Sequence, residues 1–278
     1  MSLGINLMLW TASPDKSHAK LIHQLRKAGY GHLELPIFAP AKFPVDEVKA
    51  ILAAEGMTAT ATSCMPGDAT LIGKDKKLNK AAIDHMKGCI DTCHQLGATM
   101  INGPLYHPLA GFTGTGPTDD ERKRFAETMG TVAAYSEKSG VRIGIEPLNR
   151  FETHFLNTCA QGVQVCEMIK HPNVGLLVDT FHMHIEENDM ADAMYKARKH
   201  IIHLHASECH RGQPGTGQVK WKKWSEVVKK MKYKGDVVIE SFGQGLPELA
   251  AATRIWRNII GDPVKMAAKA AKFVLPLI

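Results

Sequence analysis

No apolar run in this chain approaches the roughly 18 residues that a membrane span needs, and residues 1–10 are too short and wrongly flanked for a secretory signal. A cytoplasmic protein without a membrane partner is the expectation. No Gly-x-Gly-x-x-Gly follows the first apolar run, which counts against the dinucleotide-binding form of an open sheet. No linker or low-complexity stretch divides the 278 residues, so one domain over 1–278 is expected.

The six cysteines lack the spacing of a disulfide framework and read as free thiols. His85, Cys89 and Cys93 recur every four residues on a predicted helix, a spacing able to hold a metal on one face. Ile83, Met86, Ile90 and Leu96 share that helix and no fourth ligand is evident, so packing is the preferred reading. The net charge of +6 is mild and concentrated in seven lysines between Lys220 and Lys234. Trp221, Trp224, Val227, Val228 and Met231 form an apolar stripe through that segment, which makes the lysines a solvated helix face rather than a nucleic-acid surface.

What the chain does have is a repeated unit. Nearly continuous apolar runs at 4–9, 31–35, 58–63, 99–102, 142–145, 174–178, 201–204 and 236–239 read as strands. Helical patterns follow them at 17–28, 45–54, 80–96, 118–138, 160–169, 190–199, 225–231 and 247–259. Eight strand–helix units predict an α/β fold, a closed (β/α)₈ TIM barrel, with residues 263–273 as an extra C-terminal helix.

In such a barrel chemistry gathers at the carboxyl ends of the strands. The predicted ends are Trp10, Glu34, Glu146, Asp179, His205 and Glu240, of which five are ionisable. Glu146, Asp179, His205 and Glu240 come from four consecutive strands, and three converging carboxylates do not stay ionised together without a cation. A divalent metal resolves the conflict, and oxygen-rich ligation with one histidine suits Mn²⁺, Mg²⁺ or Co²⁺. The residues by themselves leave the choice among these three ions open.

The segments Ile145-Glu-Pro-Leu-Asn-Arg-Phe-Glu152, Val178-Asp-Thr-Phe-His-Met-His-Ile-Glu-Glu187, His203-Leu-His-Ala-Ser-Glu-Cys-His-Arg211 and Val238-Ile-Glu-Ser-Phe242 carry a resemblance. The chain resembles the D-tagatose 3-epimerase family, which includes D-allulose (D-psicose) 3-epimerases, among the xylose isomerase-like barrels. The resemblance implies an isomerase that interconverts free ketoses of the D-tagatose, D-fructose and D-allulose class at C3, and a homodimer or homotetramer. It implies that Glu146, Asp179, His205 and Glu240 bind the metal, with Glu146 and Glu240 also the catalytic acid/base pair. His182 and Arg211 would hold a substrate oxygen near the metal, and Glu152 would bond the sugar close to C1 and C2. The family presents aromatic residues to the sugar, for which Trp10, Tyr106, His107 and Phe112 are the candidates.

The chemistry is coherent with that assignment. Loss of the C3 proton beside a C2 carbonyl gives an enediolate that a metal stabilises, and a second carboxyl returns a proton to the opposite face. An aldose–ketose isomerase or an inosose dehydratase would use the same metal site. An endonuclease IV-like DNA repair enzyme would need more histidine ligands than these strand ends offer. Gly212-Gln-Pro-Gly-Thr-Gly217 can be read as a phosphate cradle or as a turn, and the turn is preferred because the resembling epimerases act on unphosphorylated sugars.

Overall fold

The computed structural model describes residues Met1–Ile278. Eight parallel strands close into one barrel in chain order. They are β1 Leu3–Asn6, β2 His32–Pro36, β3 Thr58–Thr62, β4 Met100–Gly103, β5 Arg142–Ile145, β6 Val174–Asp179, β7 Ile201–Ala206 and β8 Val237–Ile239. The outer layer holds α1 Ala19–Lys27, α2 Val45–Glu55, α3 Lys76–Leu96, α4 Asp119–Ser136, α5 Cys159–Ile169, α7 Met190–Ala197 and α8 Trp221–Lys230. No helix is long and apolar enough to cross a membrane.

Local chemistry sets the helix boundaries. Thr118 and Glu121 form a capping box at the start of α4, and Thr158 with Gln161 does the same for α5. Each such cap contributes about 1 kcal/mol. The apolar faces turn inward: Ala82, Met86, Cys89, Ile90 and Cys93 of α3 are buried, which confirms the packing reading of that helix. All six cysteines are free thiols. Trp221, Trp224, Val227 and Val228 of α8 are buried while Lys222, Lys223, Lys229 and Lys230 are exposed, as its stripe predicts.

The strands depart from the expected apolar runs. His32-Leu-Glu-Leu, Thr58-Ala-Thr-Ala and His203-Leu-His-Ala alternate polar and apolar residues. Glu34 of β2 reaches across to His203 and His205 of β7, so the polar set faces the barrel interior. The aliphatic residues between them, Leu33, Ala61 and Leu204 among them, belong to the core under the helices. This interior is a hydrogen-bonded polar layer, where most barrels pack branched aliphatic side chains.

Three boundaries differ instructively. The first strand ends at Asn6, whose Oδ1 accepts from the Met8 N–H at 2.9 Å and turns Leu7–Leu9 into a 3₁₀ turn. Trp10 is therefore not a strand end; it packs against the core outside the cavity wall. A short helix, α6 Thr180–Glu186, interrupts the predicted loop after β6. The eighth helix stops early, as α9 Pro247–Ala252. It joins Met8, Phe242 and Ile255 in a small cluster at the barrel mouth. The C-terminal helix α10 Pro263–Val274 packs on α1 and β1, so it supplies the outer cover that α9 leaves open. Tyr30 Oη donates to the Ala267 carbonyl at 2.8 Å and pins α10 in place.

Candidate active site

The barrel brings together the four residues expected at consecutive strand ends. Ligating atoms of Glu146, Asp179, His205 and Glu240 all lie within 4.8 Å of one another, and all four residues are buried. Asp179 does two jobs. Its Oδ1 accepts from the Phe181 N–H at 2.7 Å and caps α6, while Oδ2 turns to the cluster and to the Ser207 hydroxyl at 2.9 Å. Glu146, just past β5, is steadied through its backbone: Tyr106 Oη donates to its carbonyl at 3.0 Å.

Arg211 sits on one side of this cluster. Its Nη1 donates to Asp179 Oδ2 at 2.7 Å and to Glu240 Oε2 at 2.6 Å, and its guanidinium stacks 3.9 Å from the Phe181 ring centre. His182 Nδ1 accepts from the Asn149 N–H at 3.0 Å, and its Nε2 lies 3.7 Å from Glu146 Oε1. Asn149 also donates through Nδ2 to Glu152 Oε1 at 2.7 Å, so one loop residue sets both His182 and Glu152. Arg150 faces outward and is paired with Glu186.

The electrostatics show what the cluster demands. Burial, reinforced by the charge of Glu240, pushes the Glu146 carboxyl well above the usual range. Burial would also raise Asp179, but the Arg211 guanidinium together with His205 and His182 outweighs it and holds this carboxyl below its ordinary value. Burial would lower His205; the carboxylates of Glu34, Glu240 and Asp179 together outweigh it and hold the ring, without a cation, well above the ordinary imidazole range. Burial and the Arg211 charge together keep His182 neutral.

The residues fit a divalent cation. His205 Nδ1 is buried without a hydrogen-bond partner, 3.7 Å from Asp179 Oδ2 and 3.6 Å from Glu240 Oε1. Ligand atoms no more than 4.8 Å apart span about twice a metal–oxygen distance of roughly 2.0–2.6 Å. The second buried group of this kind, Glu34 with His203 and His205, is hydrogen-bonded at 2.8 and 2.7 Å beneath the first.

A cavity of about 300 Å³ opens over the cluster. Glu146, Glu152, His182, Arg211 and Glu240 line its polar floor; Met8, Phe38, Leu109, Leu148, Phe242 and Leu249 form the apolar wall. The expected aromatic contacts are redistributed. Tyr106 is buried in an aromatic core with Phe125 and Phe155, His107 bonds Thr70, and Phe112 is exposed away from the cavity. Met8 and Phe38, not Trp10, line this side of the cavity, and periodicity gives no signal for them.

Glu34 was expected among the strand-end groups. It lies two residues before the end of β2, one layer below the cluster, where Asn6, Thr60, Asn102, His203 and His205 all reach it. The Gly212–Gly217 segment is a turn in which the N–H groups of Gly212, Gly215 and Thr216 are engaged within the protein. The Glu208 carboxylate accepts from the N–H groups of Gly215 and Val219 and from Trp221 Nε1.

A closed parallel barrel with this ligand cluster belongs to a recognisable class. The model of the xylose isomerase-like TIM barrel family matches residues 22–271. A ketose 3-epimerase of Arthrobacter globiformis is 30% identical over 281 aligned positions, covering 99% of this chain and 96% of that protein. A D-psicose 3-epimerase of Ruminiclostridium cellulolyticum is also 30% identical, with the same coverage. The crystal structure of a Methylomonas D-allulose 3-epimerase in complex with D-allulose superposes with a TM-score of 0.95 at 27% identity, covering 100% of this chain and 97% of that one. The chain belongs to the xylose isomerase-like TIM barrels and, within them, to the ketose 3-epimerases, a family of isomerases.

Proposed function

We propose that this protein epimerises free ketoses at C3, with D-allulose, D-fructose and D-tagatose as the substrate class, using a divalent metal and two glutamates. The observation that carries the reading is one cavity lined by both glutamates together with Glu152, His182 and Arg211. Glu146, Asp179, His205 and Glu240 would hold the ion, with Mn²⁺ first and Co²⁺ or Mg²⁺ as alternatives. When bound, the ion supplies Lewis-acid stabilisation of the negative charge that develops on O2 as C3 loses its proton.

The remaining work falls to side chains. Glu146 follows β5 and Glu240 follows β8, so the two carboxyls reach the cavity from separate sides of the barrel mouth. That separation supports removal of the C3 proton by one and its replacement by the other on the opposite face, with the roles exchanged in the reverse direction. Arg211 and His182 line the floor beside them, placed to bind a substrate oxygen. Glu152, fixed by Asn149, is placed to accept from a sugar hydroxyl near C1 and C2. The apolar wall binds the far end of the sugar by shape, which accommodates ketopentoses as well as ketohexoses. Glu208 fills the glycine-rich turn with its own carboxylate, which favours unphosphorylated substrates.

The test is a chelated and reconstituted enzyme assayed against free ketoses in D₂O, with products separated by chromatography and C3 deuteration read by NMR. Metal-dependent inversion at C3 with label at C3 is the expected result. An aldose or a dehydrated product without inversion would instead identify an isomerase or dehydratase on the same site.

A further inference from the structure

Glu34 is fully buried, takes no part in the cavity wall, and collects five donors. Its Oε1 faces Asn6 Nδ2 at 2.9 Å and His205 Nε2 at 2.7 Å. Its Oε2 faces Thr60 Oγ1 at 3.1 Å, Asn102 Nδ2 at 3.2 Å and His203 Nε2 at 2.8 Å. An ionised carboxylate has about four lone-pair sites and nothing to donate, so the five contacts share them and His205, at the shortest distance of the set, 2.7 Å, gives Glu34 a hydrogen. His205 therefore keeps a hydrogen on Nε2, and its partnerless Nδ1, facing Glu146, Asp179 and Glu240, is the atom that gives up its proton and offers a lone pair when the cluster takes a cation.

We propose that Glu34 is the positioning residue of the metal centre, holding His205 in the tautomer whose Nδ1 lone pair faces the ligand cluster. The inference rests on the ligand set proposed above. It makes a specific claim about an isosteric change. In Glu34→Gln only one oxygen remains, and the three-donor side formed by Thr60, Asn102 and His203 takes it. The amide NH₂ then faces His205 Nε2, which has to accept, and the hydrogen moves to Nδ1. A ring protonated there has no lone pair for a metal.

Two measurements test this on the full chain. The first is Mn²⁺ titration of the chelated protein, with free Mn²⁺ read by EPR, for the native chain, Glu34→Gln and Asp179→Asn. The second is ¹⁵N–¹H correlation of the histidine rings in the Mg²⁺-loaded native protein and in metal-free Glu34→Gln, the His205 signals being assigned by their loss in His205→Asn. The expected results are 10- to 100-fold weaker Mn²⁺ binding in Glu34→Gln, hydrogen on Nε2 in the native protein, and hydrogen on Nδ1 with none on Nε2 in the variant. Loss of binding in Asp179→Asn with Glu34→Gln within twofold of native would overturn the inference alone. Hydrogen on Nδ1 in the loaded native protein would overturn it too, whether or not the variant folds. Unaltered binding in Asp179→Asn would overturn the ligand set beneath it.

Discussion

The guanidinium of Arg211 is bound to Glu240, Nη1 to Oε2, at 2.6 Å. The same nitrogen reaches Asp179, and the ring of Phe181 lies against the guanidinium plane. A lysine at 211 can supply the charge but neither the fork nor the stack. A charge-assisted hydrogen bond is worth roughly 1.5–3 kcal/mol, so Arg211→Lys should lose about 10- to 150-fold in kcat/KM. Steady-state kinetics on D-allulose check this; a loss under threefold would remove Arg211 from the substrate floor.

The two glutamates make separable predictions. Acid–base catalysis by a positioned side chain contributes about 10²–10⁴-fold. Glu146→Gln and Glu240→Gln should each lose epimerisation by at least that factor. In D₂O each single variant should still wash deuterium into C3 of whichever epimer its remaining carboxyl can deprotonate, without forming the other epimer. Equal label in both epimers, or epimerisation within tenfold of native, would sink the two-glutamate reading.

How much of this was legible in the sequence follows from where each residue lies. Glu146, Asp179, His205 and Glu240 announce themselves because a charge directly after an apolar run is costly unless it is matched. Asn6 and Asn102 give no such signal, and Glu34, though marked as an ionisable strand end, gives none of its pairing with His203 and His205. They sit inside strands and acquire meaning only when the barrel closes and brings β2 across from β7. The wall residues Met8 and Phe38 were missed because one lies within a 3₁₀ turn set by Asn6 and the other lies beyond β2, and neither belongs to a periodic pattern. The short extent of α9 and the role of α10 were hidden for a related reason: apolar spacing marks a face but not the partner that covers it.

Glu208 sets a pH dependence. Burial would raise its carboxyl, but the bonds from Trp221 and the backbone N–H groups outweigh burial and hold it below its ordinary value of 4.5. A group with a lowered folded pKa binds fewer protons folded than unfolded. Its contribution is therefore present above about 4.5 and is lost as pH falls through the folded value. Urea midpoints of native and Glu208→Gln protein should differ at pH 7 and converge as the pH is lowered below 4.5. A gap that widens on acidification would contradict the assignment.

The glycine at 144 is fixed by its neighbour across the sheet. Asn102 pairs with Gly144 in the β4–β5 register, and a Cβ added at Gly144 would fall 2.2 Å from Asn102 Oδ1. Asn102 cannot retreat freely, because its Nδ2 is held by Glu34 and by the Ala61 carbonyl. Overpacking of this kind costs about 1–3 kcal/mol. Gly130, inside α4, meets nothing within 4 Å of an added Cβ, and there the same substitution should stabilise by about 0.5–1 kcal/mol through helix propensity. Gly144→Ala should thus lower the urea midpoint and Gly130→Ala raise it. Because the displaced Asn102 is a donor to Glu34, Gly144→Ala should also weaken Mn²⁺ binding while Gly130→Ala leaves it unchanged. A Gly144→Ala protein of native stability and native metal affinity would show that the polar layer has slack that the 2.2 Å approach denies.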